Sequence, residues 1–499
     1  MIAGIDFGTK YSSICIIKDG EPFVIKDEDE RERIASFLFA TPDNRWYVGN
    51  NAYKHLKIDD ECPKYLMKRK LGTGYMTKMY GCIYSQSELL AIYLRYLVSL
   101  AEKEAGQDIK DIVVSVPGSF DSIQRKTMQH AVRIAGLNLL GLINDVKSAI
   151  FNYSLSHDAE KCALVFNMGA GCLDIDIIHT EAGKIESLAH VGDCSFGGFD
   201  FDKSLANEIN EHIKRTEGVS IIKDQNSLLK LLVEVERAKK ELSCNEDSKL
   251  KLGYLMKQNS DRYADYMYNL KADEFDEAVA ELYDRIEGYL DETISKLPQG
   301  YEIGNIILGG GATLMPKILE LVKKRFPEKT KVCRISDTAY ARGAVMYGAS
   351  LMNEQAQVKV SKKIDICEKS NATICILIPG AGKMEIVKKG QSLPASVTSD
   401  LEVHKIFASD SMNLRLYENM GGSSEDDYIG EVNIKFSQKK YLHNMHIECN
   451  VDSSGLILIK PSDEMGSVKK SSSTIYCLDA EAEEFASIQV KKRFNRIIN

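Results

Sequence analysis

The 12 cysteines form no Cys-x-x-Cys pair and no Cys/His ligand cluster, which excludes a zinc module and argues against a disulfide framework. A chain of 499 residues buries a core without such staples, so a reducing, cytoplasmic compartment is expected. No apolar run approaches the ~20 residues that a membrane span needs, and the N-terminus MIAGIDFGTKYSSICII lacks the basic start, apolar core and small-residue cleavage site of a secretory signal. Nor is there a basic excess: 64 Lys and Arg face 72 Asp and Glu, a net charge of −8. The charge footprint of a nucleic-acid or anionic-membrane binder is therefore missing. What is present is ordinary globular composition, 44% apolar and 27% charged. At roughly 150 residues per domain, about three folded units are expected.

The chain repeats itself. A β-branched run, Ile2 to Asp6, leads through Gly8-Thr9-Lys10-Tyr11 into a second run, Ser12 to Ile17, and reads as a hairpin with a glycine turn. The same pattern returns as Cys162 to Asn167, Met168-Gly169-Ala170-Gly171, then Cys172 to Ile178. Each copy is followed by a buried strand, a turn and an amphipathic helix: Asp111 to Phe120 with a helix over Ser122 to Ala135, and Asn305 to Leu314 with a helix over Pro316 to Arg325. Two similar α/β lobes around a cleft are predicted. Three- and four-residue apolar spacing predicts further helices over Glu88–Glu104, Leu228–Ser243 and Phe275–Leu297. After about Gln355 short alternating runs take over, predicting an antiparallel β-domain, and Ala480 to Asn499 reads as one helix.

Each glycine turn suits a phosphate, because glycine lets backbone N–H groups converge within hydrogen-bond reach of an anion. A single such turn is read equally as a plain hairpin; two, one per lobe, would hold a polyphosphate from both sides. Asp6 and Asp174 stand beside the turns, where they either hold Mg²⁺ through its waters or are solvated strand-end acids. Gly309-Gly310-Gly311-Ala312 ends a strand and opens a helix; it either admits a flat base or is a plain βα loop. His130 and His190 have no partner at ligand spacing and read as structural or solvated.

Taken together, the ordered motifs IDFGTKYSS, KRKLG, VSVPGSFDSIQR, AGLNLLGLINDVKSA, NMGAGCLDI, GDCSFGGFDFD, ERAKKELS and GGGATLMPKI resemble the seventy-kilodalton heat-shock chaperone family (DnaK-like) from Ile2 to about residue 470. The resemblance implies an α/β fold class: a duplicated, two-lobed actin-like ATPase domain over 1–356, a linker over 357–365, an antiparallel β-sandwich over 366–470 and a short helical tail over 471–499. It implies ATP or ADP with Mg²⁺ as cofactors. Gly8, Thr9, Lys10 and Tyr11 would meet the phosphates, as would Gly169, Ala170, Gly171 and Cys172, with Gly197 and Gly198 as a further phosphate loop. Lys68 would reach the γ-phosphate and the attacking water. Asp6 and Asp174 would belong to the Mg²⁺ shell, and Asp145 falls where the family has a longer Glu. Glu236, Lys239, Lys240 and Ser243 match ribose and base contacts, as do Gly310, Gly311, Ala312, Leu314 and Asp337. Pro117 and Arg125 match an interdomain relay.

Departures from the family pattern weaken the expected chemistry. Asn167 replaces an Asp, and an amide cannot take a proton from the attacking water; losing a general base costs on the order of 10²–10⁴ in rate. Cys172 replaces a Thr, Ala312 a Ser, and Lys240 and Leu314 two arginines that would sandwich the base. Ile364 to Ser370 resembles the entry to the family's peptide-binding sandwich, and Gly380 to Pro394 its first arching loop and following strand. Unfolded or extended peptide is thus an expected partner, with a J-domain co-chaperone and a nucleotide-exchange factor as further ones. The linker Ser361-Lys362-Lys363-Ile364 would resist docking in an apolar groove. The competing readings are a nucleotide-binding regulator or scaffold without turnover, a small-molecule kinase and an actin-like filament.

Overall fold

The computed structural model describes the chain apart from residues 44, 55–66, 80, 157–161, 182, 219, 221, 223–224, 260–261, 328–329, 353–364, 380–381, 402–410, 422–425, 437–444, 464–467, 475–496 and 499. The linker over 357–364 and the run Glu402–Phe407 lie outside the described residues.

Two sheets carry the repeat. In the first, the strand order is Asn138–Asn144, Asp111–Val116, Ile2–Asp6, Tyr11–Lys18 and Glu21–Val24; in the second it is Lys331–Arg334, Ile303–Gly309, Cys162–Met168, Leu173–Glu181 and Lys184–Asp193. In each, the strand entering the glycine turn pairs antiparallel with the strand leaving it and parallel with the strand from the next unit. The crossover helices are Ser122–Ile134 and Pro316–Lys323. Parallel strands require such crossovers, and their fixed hand gives both copies one order. The strands entering the two turns, Ile2–Asp6 and Cys162–Met168, are nearly continuously apolar because helices cover the sheets.

Each lobe has its own core, the first around Phe7, Trp46, Tyr93 and Phe120, the second around Phe166, Phe196, Phe201 and Leu290. Between them the helices Asp145–Ser156 and Ala339–Leu351 pack together, burying Val146, Ile150, Ala344 and Val345. Small residues allow that approach; Ser148 Oγ donates to Tyr340 O at 2.7 Å.

The helix expected over Phe275–Leu297 is two helices, Ala272–Ala278 and Ala280–Ser295, which meet at Val279 with φ −119° and ψ 10°. Phe275, Val279 and Tyr283, four residues apart across the break, all reach the core.

Beyond residue 370 the strands form two antiparallel sheets. One has the order Gly382–Val387, Thr373–Ile378, Ser411–Asn419, Asp427–Phe436 and Val468–Thr474; the other is Ala395–Leu401, Met445–Val451 and Ile457–Asp463. Alternate residues Met412, Leu414 and Leu416 meet Met445, Ile447 and Cys449 in one core, as a period of two requires. Asp365–Lys369, expected to enter this unit, instead pairs in parallel with Lys184–Glu186 and extends the second lobe's sheet. Lys369 reaches Glu186 at 3.0 Å and Lys147 reaches Glu368 at 2.6 Å, which fastens the segment there. The helical tail also needs correction where it is described: Val468–Thr474 and Ile497–Ile498 are strands, the latter paired with Trp46–Tyr47. The free edge of the Leu38–Ala40 and Trp46–Val48 hairpin offers the β-branched Ile497–Ile498 the ladder bonds that strand needs.

Candidate functional site

The glycine turns of the two lobes face one another across a cleft of about 1260 Å³. They touch: a Cβ on Gly171 would stand 2.2 Å from Thr9 Oγ1 and 2.7 Å from Thr9 Cβ. Gly310 of the 309–312 loop, at φ +76°, is pressed on the second turn, so closely that a Cβ would meet Met168 O at 2.3 Å. Gly198 N donates to Gly169 O at 2.9 Å and Phe199 N to Ala170 O at 2.8 Å, so the 197–198 loop seats on the same turn.

Almost all of the residues singled out from sequence line this cleft: Asp6, Gly8 to Tyr11, Lys68, Asp145, Asn167, Gly169 to Cys172, Asp174, Gly198, Glu236, Lys239, Lys240, Ser243, Gly310 to Ala312, Leu314 and Asp337. Gly197 instead packs behind the wall on Ala170. Pro117 and Arg125 stand apart, and Arg125 Nη1 donates to Ser454 O of the β-domain at 3.0 Å.

Of the acids at the cleft floor, Asp145 and Asp174 are buried and Asp6 is half-buried. Burial pushes the Asp6 carboxyl up to about 8, with Asp145 adding and Lys68 opposing. Burial likewise pushes Asp174 to about 7 against the pull of His190. Lys68, 4% exposed, lies 3.4 Å from Asp145 Oδ2. Burial disfavours its charge, but Asp145, Cys172, Asp6 and Cys194 together hold its pKa above the ordinary lysine value. Asp145 Oδ1 is buried with no hydrogen-bond partner among the described residues. Together with the Asp6 and Asp174 carboxyls that burial raises, that orphaned oxygen fits a hydrated cation. No group of three or more His, Cys, Asp or Glu among the described residues would grip a metal directly. Mg²⁺ needs no such cage, since it keeps most of its waters and takes one or two carboxylates.

Cations cluster around Glu236 and Asp202. Lys10 and Lys240 both pair with Glu236, Lys240 at 2.7 Å, and Lys239 pairs with Asp202 at 2.6 Å. Burial, with Lys240, Lys239 and Arg33 adding and Asp202 opposing, drops the Lys10 ammonium to about 7. Arg33 binds Asp337 at 2.7 Å and lies 4.5 Å over the Tyr11 ring. Leu314 at the mouth is 58% exposed.

Several site residues escaped the sequence reading. Arg69 of the first lobe donates to Gly171 O at 2.8 Å and to both oxygens of Asp200, at 3.1 and 2.5 Å, latching the lobes together. It sits inside the motif KRKLG, directly after Lys68. Ser119 N and Oγ hold Asp174 Oδ1 at 3.2 and 3.1 Å. His190 is structural, the first of the two alternatives read for it: its Nδ1 lies 2.9 Å from Asp176 and its Nε2 3.7 Å from Asp174. Burial works against the imidazolium, but Asp176 and Asp174 raise its pKa. The cross-strand register Asp176↔His190 was the available signal. Tyr340, whose hydroxyl donates to Asn167 Oδ1 at 2.8 Å, had none.

Duplicated lobes closing two glycine turns on a cleft with buried acids and a buried lysine define a two-lobed, actin-like ATPase fold. The Hsp70 protein family model matches residues 74–493, and the chain belongs to that family. It is 31% identical over 360 residues to the chaperone protein DnaK of Picrophilus torridus, covering 71% of this chain and 58% of that one. To DnaK of Thermus thermophilus it is 28% identical over 379 residues, covering 71% and 62%. The chain thus spans about three-fifths of the length of these curated relatives. No helix among the described residues is long and apolar enough to cross a membrane.

Proposed function

We propose that this protein is an Hsp70-type chaperone that binds ATP or ADP with Mg²⁺ in the interlobe cleft, hydrolyses ATP slowly, and holds extended apolar peptide in its β-domain under nucleotide control. One observation carries the reading: Thr9 and Gly171, in the turns of two duplicated hairpins, meet over Lys68, Asp6 and Asp174. Backbone amides of both turns would cradle the phosphates from opposite walls. Lys68 would neutralise the terminal phosphoryl group, and Asp145 would orient the attacking water with its unpartnered Oδ1. Asp6 and Asp174 would hold Mg²⁺, which when bound offsets phosphate charge. Asn167 lines the cleft but has no basic atom to take the water's proton, and its Oδ1 is committed to Tyr340. Slow turnover follows.

The β-domain supports coupling through its contacts with the first lobe. Glu418 accepts from Ser122 N and Oγ at 3.1 and 3.0 Å, Asn371 donates to Phe120 O at 2.7 Å, and Ser454 Oγ accepts from Leu142 N at 2.8 Å. Those partners flank Pro117 and Arg125, the expected relay. The two-sheet unit is the expected peptide-binding sandwich, with J-domain and exchange-factor partners as for the family. The Asn167–Tyr340 contact favours a second reading, a nucleotide-binding regulator without turnover.

Single-turnover ATP hydrolysis with and without an apolar peptide tests both. Stoichiometric ATP binding, slow hydrolysis and a rate that responds to peptide support the chaperone. Binding with hydrolysis at background supports the regulator, and absence of ATP binding refutes both.

A further inference from the structure

Two cysteines flank the second phosphate turn. Leu173 and Asp193 are the last antiparallel partners of their ladder, and Cys172 and Cys194 are the next residues out, one beside each. The last ladder partners have Cα atoms about 4.5–5.5 Å apart, so the residues beside them start near the roughly 4.4–6.8 Å that a disulfide spans. Cys172 Sγ donates to Cys194 O at 3.6 Å, which holds the two residues together. Both are free thiols; Cys172 lines the cleft and is 9% exposed, and Cys194 is half-buried. A small oxidant entering the cleft therefore reaches the pair.

The pair sits where a change of bonding matters. Cys172 O accepts from Gly169 N at 3.0 Å, closing the turn. Cys194 Sγ lies 3.0 Å from Ser119 Oγ, and that hydroxyl also holds Asp174 at 3.1 Å. Joining two sulfurs at a bond length of about 2.05 Å removes both thiol protons, draws the feet of the 169–172 and 194–198 segments together and takes the Cys194 thiol from Ser119.

We propose that Cys172 and Cys194 form a reversible disulfide under peroxide, a redox modification site that weakens nucleotide binding. The Cys172 sulfur attacks the peroxide O–O bond, becoming a sulfenic acid with release of one water; the Cys194 sulfur then attacks it, the S–S bond forms, the S–O bond breaks and a second water leaves. Two thiols lose two electrons and two protons, and one peroxide becomes two waters. The consequence for nucleotide binding rests on the function proposed above; formation of the bond does not.

The test uses the full chain treated with hydrogen peroxide, alkylated and mapped without reductant, together with binding of a fluorescent ATP analogue. The expected result is one linked peptide pair containing Cys172 and Cys194, reversed by dithiothreitol, and nucleotide affinity at least about tenfold lower when oxidised, as expected for loss of one charge-assisted bond. Cys194→Ser should lose both the link and the oxidant-dependent drop, with Cys194→Ala as the second variant where serine disturbs folding. Two freely alkylated thiols after peroxide overturn the proposal, as does a mapped link with unchanged affinity. If the reduced protein binds no nucleotide, the proposed function and the regulatory role fail, and the mapping alone judges the disulfide.

Discussion

Replacing Glu418 by glutamine is expected to strengthen the junction between the β-domain and the first lobe at pH 8 and to flatten its pH dependence. Glu418 is 3% exposed and caps the N-terminus of the Ser122–Ile134 helix through Ser122 N and Oγ. Burial nevertheless dominates and pushes its carboxyl from an ordinary 4.5 to about 7. Asp121 works in the same direction and Arg125 against it, while Asp427 stands opposite Glu418 in register and acts on Asp121. At about 1.4 kcal/mol per pH unit, ionising the docked carboxyl costs on the order of 3 kcal/mol. Because the docked value is the raised one, that contribution is fully present below pH 4.5 and is lost as the pH climbs through 7. The docking constant should therefore fall on the order of 100-fold between pH 5 and 8. Glutamine keeps the shape and an oxygen acceptor for Ser122 N without the charge; the slope that remains belongs to Asp121 and Asp452, whose carboxyls burial also raises. Hydrogen exchange of the peptide spanning Ser119–Lys126, corrected for intrinsic rates, or energy transfer between labels on the two units, reads the junction. Equal docking of the parent protein at pH 5.5 and 8, or a wild-type slope in the glutamine variant, would refute the reasoning.

Three further outcomes concern the cleft. With the Lys10 ammonium near 7 and a bound triphosphate favouring its charged form, ATP affinity should fall by up to about tenfold per pH unit above 7; calorimetry in two buffers of different ionisation enthalpy should show proton uptake, and a pH-flat affinity with none counts against it. In Gly171→Ala the new Cβ stands 2.7 Å from Thr9 Cβ, which no rotamer relieves, so nucleotide affinity should drop at least about tenfold while the β-domain melts unchanged; binding at parental strength would mean that the turns do not hold phosphate together. Asn167→Asp should raise single-turnover hydrolysis on the order of 10²–10⁴, and an unaltered rate would sink the general-base argument.

Much of the ATPase fold was legible because it is written locally. The runs Ile2–Asp6 and Cys162–Met168 announce strands, their glycines announce turns, and helix starts at Ser85 and Asp121 carry capping boxes. Repetition of the whole pattern made the two-lobed reading stronger than any one motif. The misread elements were those whose state depends on a distant surface. Asp365–Lys369 is a strand because Lys184–Glu186 presents an edge to it, and Ile497–Ile498 because Trp46–Tyr47 does. In the cleft, residues within motifs were found, whereas Arg69, Ser119 and Tyr340 act through partners that no spacing reveals.

Sequence by itself determined the duplication, the strand–turn–strand units and the residue types at both glycine turns, since these follow from period and turn chemistry. Only the tertiary structure decided which charges go unpaid for in the cleft, which thiols oppose one another and how Glu418 meets a serine 296 positions away. The reason is that burial and Coulomb interaction depend on separation in space and on access to water, and neither quantity exists until the chain has closed on itself.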